Sequence, residues 1–201
     1  MMLAMVSVYF PKTTNDSVLT QAFLITALEE ATDINKYLRA LRPFVEKLSG
    51  TGDFNELTQM FPPLMHTIIL VWKNSKFYNT ATKITVLLQE TCNDIIEQAR
   101  SFIQPSELFS NEPEEAAERI KTVMKVCQQF KDTYAEYKAK TVDTERPWNF
   151  DSKLVFSRLD KFLLRVENIM ELFDTIIEFN KLEKVEIGGT KVRSILKGLH
   201  I

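Results

Sequence analysis

The chain has 201 residues, 45% of them hydrophobic and 26% charged, a balance that argues against a disordered segment and allows one compact domain, two small ones or an elongated helical piece. A net charge of −2 with no basic stripe argues against a nucleic-acid partner. Only 5 glycines and 7 prolines, with no run of alternating apolar residues, favour an all-α chain built as an elongated bundle of amphipathic helices.

Residues 1–16 read as an irregular lead-in. The start MMLAMVSVYF lacks a charged n-region and a small-residue cleavage site, so no signal peptide is expected, and it is too short to span a bilayer. Asp16 or Ser17 can cap a first helix over about 17–49, whose apolar residues recur at spacings of three and four from Val18 to Leu48. Pro43 is expected to kink or divide it near Arg42, because a proline ring displaces a backbone bond. Gly50 and Gly52 break it, and Asp53 can cap a short helix over 53–61. Pro62-Pro63 is then expected to interrupt the helix before a second piece over 63–75, the most apolar stretch of the chain, which should be buried on most sides.

A helix over about 78–104 follows and ends at Pro105, and residues 105–112 form a loop anchored by Leu108 and Phe109. Asn111 can cap the next helix, over 112–140, with Pro113 tolerated in its first turn and Glu112, Glu114 and Glu115 complementing the helix dipole. The last and strongest helix covers 152–186, with Asp151 or Ser152 as its cap and Trp148 and Phe150 able to fold back onto its first turns. In a heptad frame, Leu159, Val166 and Phe173 occupy a. Val155, Phe162, Ile169 and Ile176 occupy d, and Phe156, Leu163, Met170 and Ile177 occupy e. Such a three-in-seven face needs other helices to cover it. Gly188-Gly189 stops the helix, and residues 190–201 are a short, basic, weakly amphipathic tail.

Residues that carry chemistry are sparse. Cys92 and Cys127 fall on predicted helices and read as reduced, buried thiols. His66, inside an apolar run, reads as a core or interface histidine, since no Cys, Asp or Glu lies within one helical turn of it. The phosphate-cradling pattern GxxxxGK[ST] is absent. Gly50-Thr51-Gly52 reads as a helix break and Gly188-Gly189-Thr190-Lys191 as a terminal turn. Glu29 with Asp33, and Glu167 with Glu171, are i, i+4 carboxylate pairs expected to be solvated surface charge. No catalytic residue, metal ligand or cofactor is assigned, and no nucleic acid, membrane or small-molecule substrate is expected. The chain reads as a scaffold or interaction module, with a generic helical adaptor or tethering-complex subunit, or an enzyme built on a helical bundle, as the rival readings.

The string VWKNSKFYNTATKITVLLQETCNDIIEQARSFIQPSELF (71–109) resembles the N-terminal tail of dynein heavy chains: Trp72, then Asn74 and Ser75 before Phe77 and Tyr78, precede a long helix ending near Pro105, Leu108 and Phe109. The string RPWNFDSKLVFSRLDKFLLRVENIMELFDTIIEFNKLEKVEIGG (146–189) is similar to the same tail. Its matching elements are Trp148 and Phe150, then Phe156, Arg158, Asp160, Phe162 and Arg165, then Phe179, Lys181, Leu182, Glu183, Gly188 and Gly189. The resemblance runs from about residue 28 to 190 and is closer to axonemal than to cytoplasmic heavy chains. It implies a string of helical bundles that binds dynein intermediate chains and other heavy chains and anchors the motor to its cargo, in the cytoplasm at the cytoskeleton and the ciliary axoneme. ATP hydrolysis and microtubule binding belong to the family's distant ring and stalk. The opening residues and TKVRSILKGLHI depart from the family pattern, so the chain is expected to be a fragment or truncated form with no enzymatic activity of its own. Its last helix is then expected to show an exposed apolar strip from Phe156 to Ile177 and a tendency to self-associate.

Overall fold

A computed structural model describes residues 16–50, 53–182, 186–187 and 190–191. It is an all-α structure. Six α-helices follow in order: α1 (Asp16–Tyr37), α2 (Arg42–Ser49), α3 (Leu57–Asn74), α4 (Ala81–Ile103), α5 (Pro113–Ala139) and α6 (Ser152–Leu182). Short 3-10 turns at Leu38–Leu41 and Phe54–Glu56 lead into α2 and α3. The expected lead-in over 1–15, the Gly52 break and the Gly188-Gly189 stop lie outside the described residues.

Local chemistry sets most boundaries. Pro43 sits in the first turn of α2, where a missing N–H leaves no bond unmade, and the 3-10 turn before it separates α1 from α2. The Asp53 carboxylate accepts from the Asn55 N–H at 2.9 Å. Thr80 caps α4 by accepting from the Lys83 N–H at 3.4 Å, and Asp151 accepts from the Lys153 N–H at 2.9 Å to open α6. Gln104 ends α4 in the left-handed region at φ 51°, just before Pro105. The residue that opens α5 is Glu112, without a side-chain cap, rather than Asn111; Pro113 at the first position and the acidic first turn take over that role.

Three expectations are corrected. Pro62-Pro63 does not interrupt α3, which runs unbroken from Leu57 to Asn74. Both prolines lie on its exposed side, where water can serve the carbonyls they leave unbonded, while Phe61, Leu64 and Met65 hold the other side in the core. The stretch after these prolines is buried on one side only: Ile68, Val71 and Trp72 face the core, and His66 and Leu70 are exposed. Beyond α6 the chain forms a two-residue antiparallel hairpin, Glu186–Ile187 (β1) with Thr190–Lys191 (β2), pairing Glu186 with Lys191 and Ile187 with Thr190.

The core lies among α3, α4, α5 and α6. Helix α6 packs on α5 and α4, α5 packs on α3 and α4, and α2 closes against α3 and α4. The expected strip from Phe156 to Ile177 is covered along most of its length. Its a and e residues from Phe156 to Phe173 are buried by α4 and α5, and its d residues Phe162, Ile169 and Ile176 are half-buried. The exposed apolar side chains of α6 are Leu154, Leu164 and Leu172, with Phe179 and Leu182 at its end.

Candidate functional site

Helix α1 stands apart from this bundle and meets it through α3 and the adjoining 3-10 turn. One carboxylate makes three of the hydrogen bonds that tie it down. Asp33 accepts hydrogen bonds from the Ser75 hydroxyl at 2.5 Å, the Lys76 N–H at 3.1 Å and the Phe77 N–H at 3.2 Å. These donors belong to the turn between α3 and α4, which would otherwise carry orphan N–H groups past the end of a helix. Burial opposes ionisation of Asp33, but these three donors and the nearby Lys36 charge outweigh it and hold the carboxyl below its ordinary 3.8. Ser75 is buried and accepts in turn from the Tyr78 N–H at 2.8 Å.

Two further contacts run from α1 to the same turn. Lys76 pairs with Glu29 at 2.5 Å, and the Tyr78 hydroxyl donates to Glu30 at 2.9 Å. Burial, then the Glu30 hydrogen bond and charge, push Tyr78 up to about 12. Asn74 donates to the Leu70 carbonyl at 3.0 Å and finishes α3. Asp33 is therefore buried and bonded, not the solvated charge expected of the Glu29/Asp33 pair, and its role is to hold a turn. No local pattern marked it, because its three donors lie 42 to 44 residues away in sequence.

The second set of motif residues converges on the first. Trp72 and Phe150 meet edge to face at 4.9 Å. From there an aromatic row continues: Phe150 to Trp148 at 5.8 Å, Trp148 to Tyr134 at 5.6 Å, Tyr134 to Phe156 at 5.0 Å, Phe156 to Phe130 at 6.1 Å and Phe130 to Phe61 at 5.1 Å. The row threads α3, α5, α6 and the segment before α6 together. Arg146 straps it from outside: its guanidinium lies 4.2 Å over the Trp72 ring and donates to the Asn79 carbonyl at 2.7 Å, while its own carbonyl accepts from the Trp72 indole at 3.0 Å. Thr141 accepts from the Trp148 N–H at 3.0 Å, and Lys138 donates to the Phe150 carbonyl at 3.0 Å. No sequence pattern marks Arg146, Thr141 or Lys138, because each donates to or accepts from backbone atoms at least seven residues away.

The remaining motif residues separate. Phe156 is buried and Phe162 half-buried; Arg158 and Arg165 are exposed. Asp160 reaches Lys131 of α5 at 2.7 Å in an open ion pair. Cys92 and Cys127 are free and buried, each pushed up to about 12 by burial, which keeps them as inert thiols. His66 is exposed rather than in the core. Among the described residues, no group of three or more His, Cys, Asp or Glu side chains could hold a metal, and no helix is long and apolar enough to cross a membrane.

The turn at 74–78 and the aromatic row join the two motif stretches in one packing unit. Comparison with known proteins gives that unit its family. The family model described as dynein heavy chain, N-terminal region 1, matches residues 7–200. The chain belongs to the dynein heavy chain family. The match extends on both sides beyond the 28–190 stretch that carried the resemblance. The dynein beta chain of the flagellar outer arm of Chlamydomonas reinhardtii is 43% identical over 175 residues, covering 86% of this chain. The ciliary dynein beta chain of Tripneustes gratilla is 45% identical over 175 residues, or 84% of this chain, and dynein axonemal heavy chain 11 of Sus scrofa is 42% identical over 191 residues, or 92%. The chain spans about 4% of the length of these relatives. It thus corresponds to the N-terminal region of a heavy chain; of the expected motif residues, Trp72, Ser75, Phe77, Tyr78, Trp148, Phe150 and Phe156 lie in the contacts of the α3–α4 turn and the aromatic row, and Arg158 and Arg165 do not.

Proposed function

We propose that this chain is a non-catalytic tail segment of an axonemal-type dynein heavy chain. It contributes to assembly of the motor complex at the ciliary axoneme by associating with intermediate chains and other heavy chains, in support of cargo anchoring and microtubule-based movement. The observation that carries this reading is the state of α1. Its Asp33 end is tied to the bundle, whereas Phe23, Leu24, Ile25 and Leu28 on the same helix are each more than half exposed. A rigidly mounted helix presenting large apolar side chains is a surface built for a partner. The motif residues serve to mount it, so Ser75, Phe77, Tyr78, Trp72 and Trp148 act on binding through the position of α1.

The test is affinity capture from extract of ciliated cells, with the tagged chain and its Phe23→Glu/Leu28→Glu variant. Recovery of dynein intermediate chains and other heavy chains with the parent chain, and their loss with the variant, supports the proposal. Recovery of chaperones alone overturns it. Measurable ATP turnover by the purified chain would overturn the non-catalytic assignment.

A further inference from the structure

Helix α6 has a second stripe, on the side away from the core. Its a and e residues are buried, and the c, f and g positions lie behind them. Leu154, Leu164, Leu172 and Leu182 on that side are 47–58% exposed. Charge along the helix is segregated. From Ser152 to Arg165 it carries Lys153, Arg158, Lys161 and Arg165, with Asp160 as the one carboxylate, paired to Lys131. From Val166 to Glu178 it carries Glu167, Glu171, Asp174 and Glu178 and no cation.

This order does not serve α6 alone. Like charges three or four residues apart, as in Arg158, Lys161 and Arg165, repel along a helix. Cations toward the N-terminus and carboxylates toward the C-terminus also run against the helix dipole. Among the described residues, Arg158, Lys161, Arg165 and Glu171 make no ion pair.

The pattern is self-complementary in one arrangement. When a second α6 lies antiparallel against this side with Asn168 facing Asn168, residues equally far from 168 come to one level. Arg165 then meets Glu171, three residues to either side, and Arg158 meets Glu178, ten to either side. Leu164 meets Leu172 and Leu154 meets Leu182 in the same register. Two-fold symmetry forms every such pair twice. A parallel pair in the same register would set each charge against its own kind. The stretch from Leu154 to Leu182 is about 42 Å long, so these pairs are spread over the whole helix.

We propose that this face binds a second copy of the chain, α6 against α6, antiparallel about Asn168. The leucine pairs supply the apolar contact, and the arginine–glutamate pairs set direction and register. Glu178 gives up its exposed pair with Lys181, which costs little. The proposal does not rest on the function proposed above, which uses α1.

Sedimentation equilibrium of the full chain between about 1 μM and 1 mM tests it. The parent chain is expected to form a dimer that weakens as salt is raised. Arg158→Glu/Arg165→Glu leaves only carboxylates at the four paired charged positions, and Glu171→Arg/Glu178→Arg leaves only cations. Each variant alone is expected to be monomeric with the helix content of the parent, and an equal mixture of the two is expected to recover the dimer. Asn168→Cys is expected to cross-link to itself between two chains under mild oxidation, whereas Glu167→Cys, on another side of α6, does not. A monomeric parent chain overturns the proposal. So does a dimer that survives in either variant, or a mixture of the two that stays monomeric. A dimer lost instead in Phe23→Glu/Leu28→Glu places the contact on α1 and also overturns it.

Discussion

Asp33 shows how much one side chain can decide. Replacing it with alanine leaves the Ser75 hydroxyl and two backbone N–H groups without their acceptor, a loss of about 2–3 kcal/mol. The loss should be local: hydrogen exchange is expected to accelerate in α1 and residues 75–78 while α5 and α6 keep their protection. The same carboxylate sets a pH dependence. Its folded value lies below the ordinary 3.8, so its contribution is complete above that value and is lost as pH falls through the folded value. Protection of α1 should therefore decline first as the solution is taken below pH 3.8, and an Asp33→Asn variant should lack this step. At Trp148 the expected effect is global. Its ring is buried within the aromatic row, and Trp148→Ala should cost about 3–5 kcal/mol, read as a lower urea midpoint with unchanged slope. The open Lys131–Asp160 pair should matter little: Asp160→Asn is expected to change stability by less than about 1 kcal/mol.

Among the elements, α3 departs most from local rules. Two prolines at its sixth and seventh positions remove N–H donors from a helix that nevertheless continues through them, with Phe61, Leu64, Met65 and Ile68 buried on its other side. Pro62→Ala/Pro63→Ala should then stabilise the protein, by about 1–3 kcal/mol once the greater freedom of the unfolded chain is subtracted, visible as a higher Tm. Helix α6 follows its heptad pattern at most a and e positions, while the d residues Phe162, Ile169 and Ile176 are half-buried and the expected exposed strip from Phe156 to Ile177 is mostly covered. Its a and e residues meet α4 and α5, and its charged residues remain outside. The contrast between these helices is one of information. In α6 the periodicity of one segment carries the result, whereas in α3 the outcome depends on which neighbours cover which side.

For the whole molecule, the family follows from the sequence comparison, and the geometry shows where the two stretches that carried the resemblance meet. Trp72 and Phe150, one from each motif stretch, lie 78 residues apart in sequence and meet at 4.9 Å. The two stretches form a framework on which α1 is mounted with Phe23, Leu24, Ile25 and Leu28 exposed. Substitutions on that exposed part should separate binding from folding. Phe23→Glu/Leu28→Glu is expected to leave the thermal transition within about 4 °C of the parent while abolishing capture of dynein subunits, because two surface substitutions without partners together alter stability by less than about 1 kcal/mol.

The amino-acid sequence by itself determined the all-α class, the helices from Ala81 onward, the dividing effect of Pro43, the buried face of α6 and the family. Each of these is written in local periodicity, in capping chemistry or in ordered strings of residue types, which a single segment carries whole. Only the tertiary structure decided that Pro62-Pro63 stays inside one helix, that His66 is exposed, that Asp33 is a buried acceptor and that Arg146 straps Trp72. Those outcomes depend on partners tens of residues away, and a hydrogen bond to a distant backbone N–H leaves no spacing in the sequence to be read.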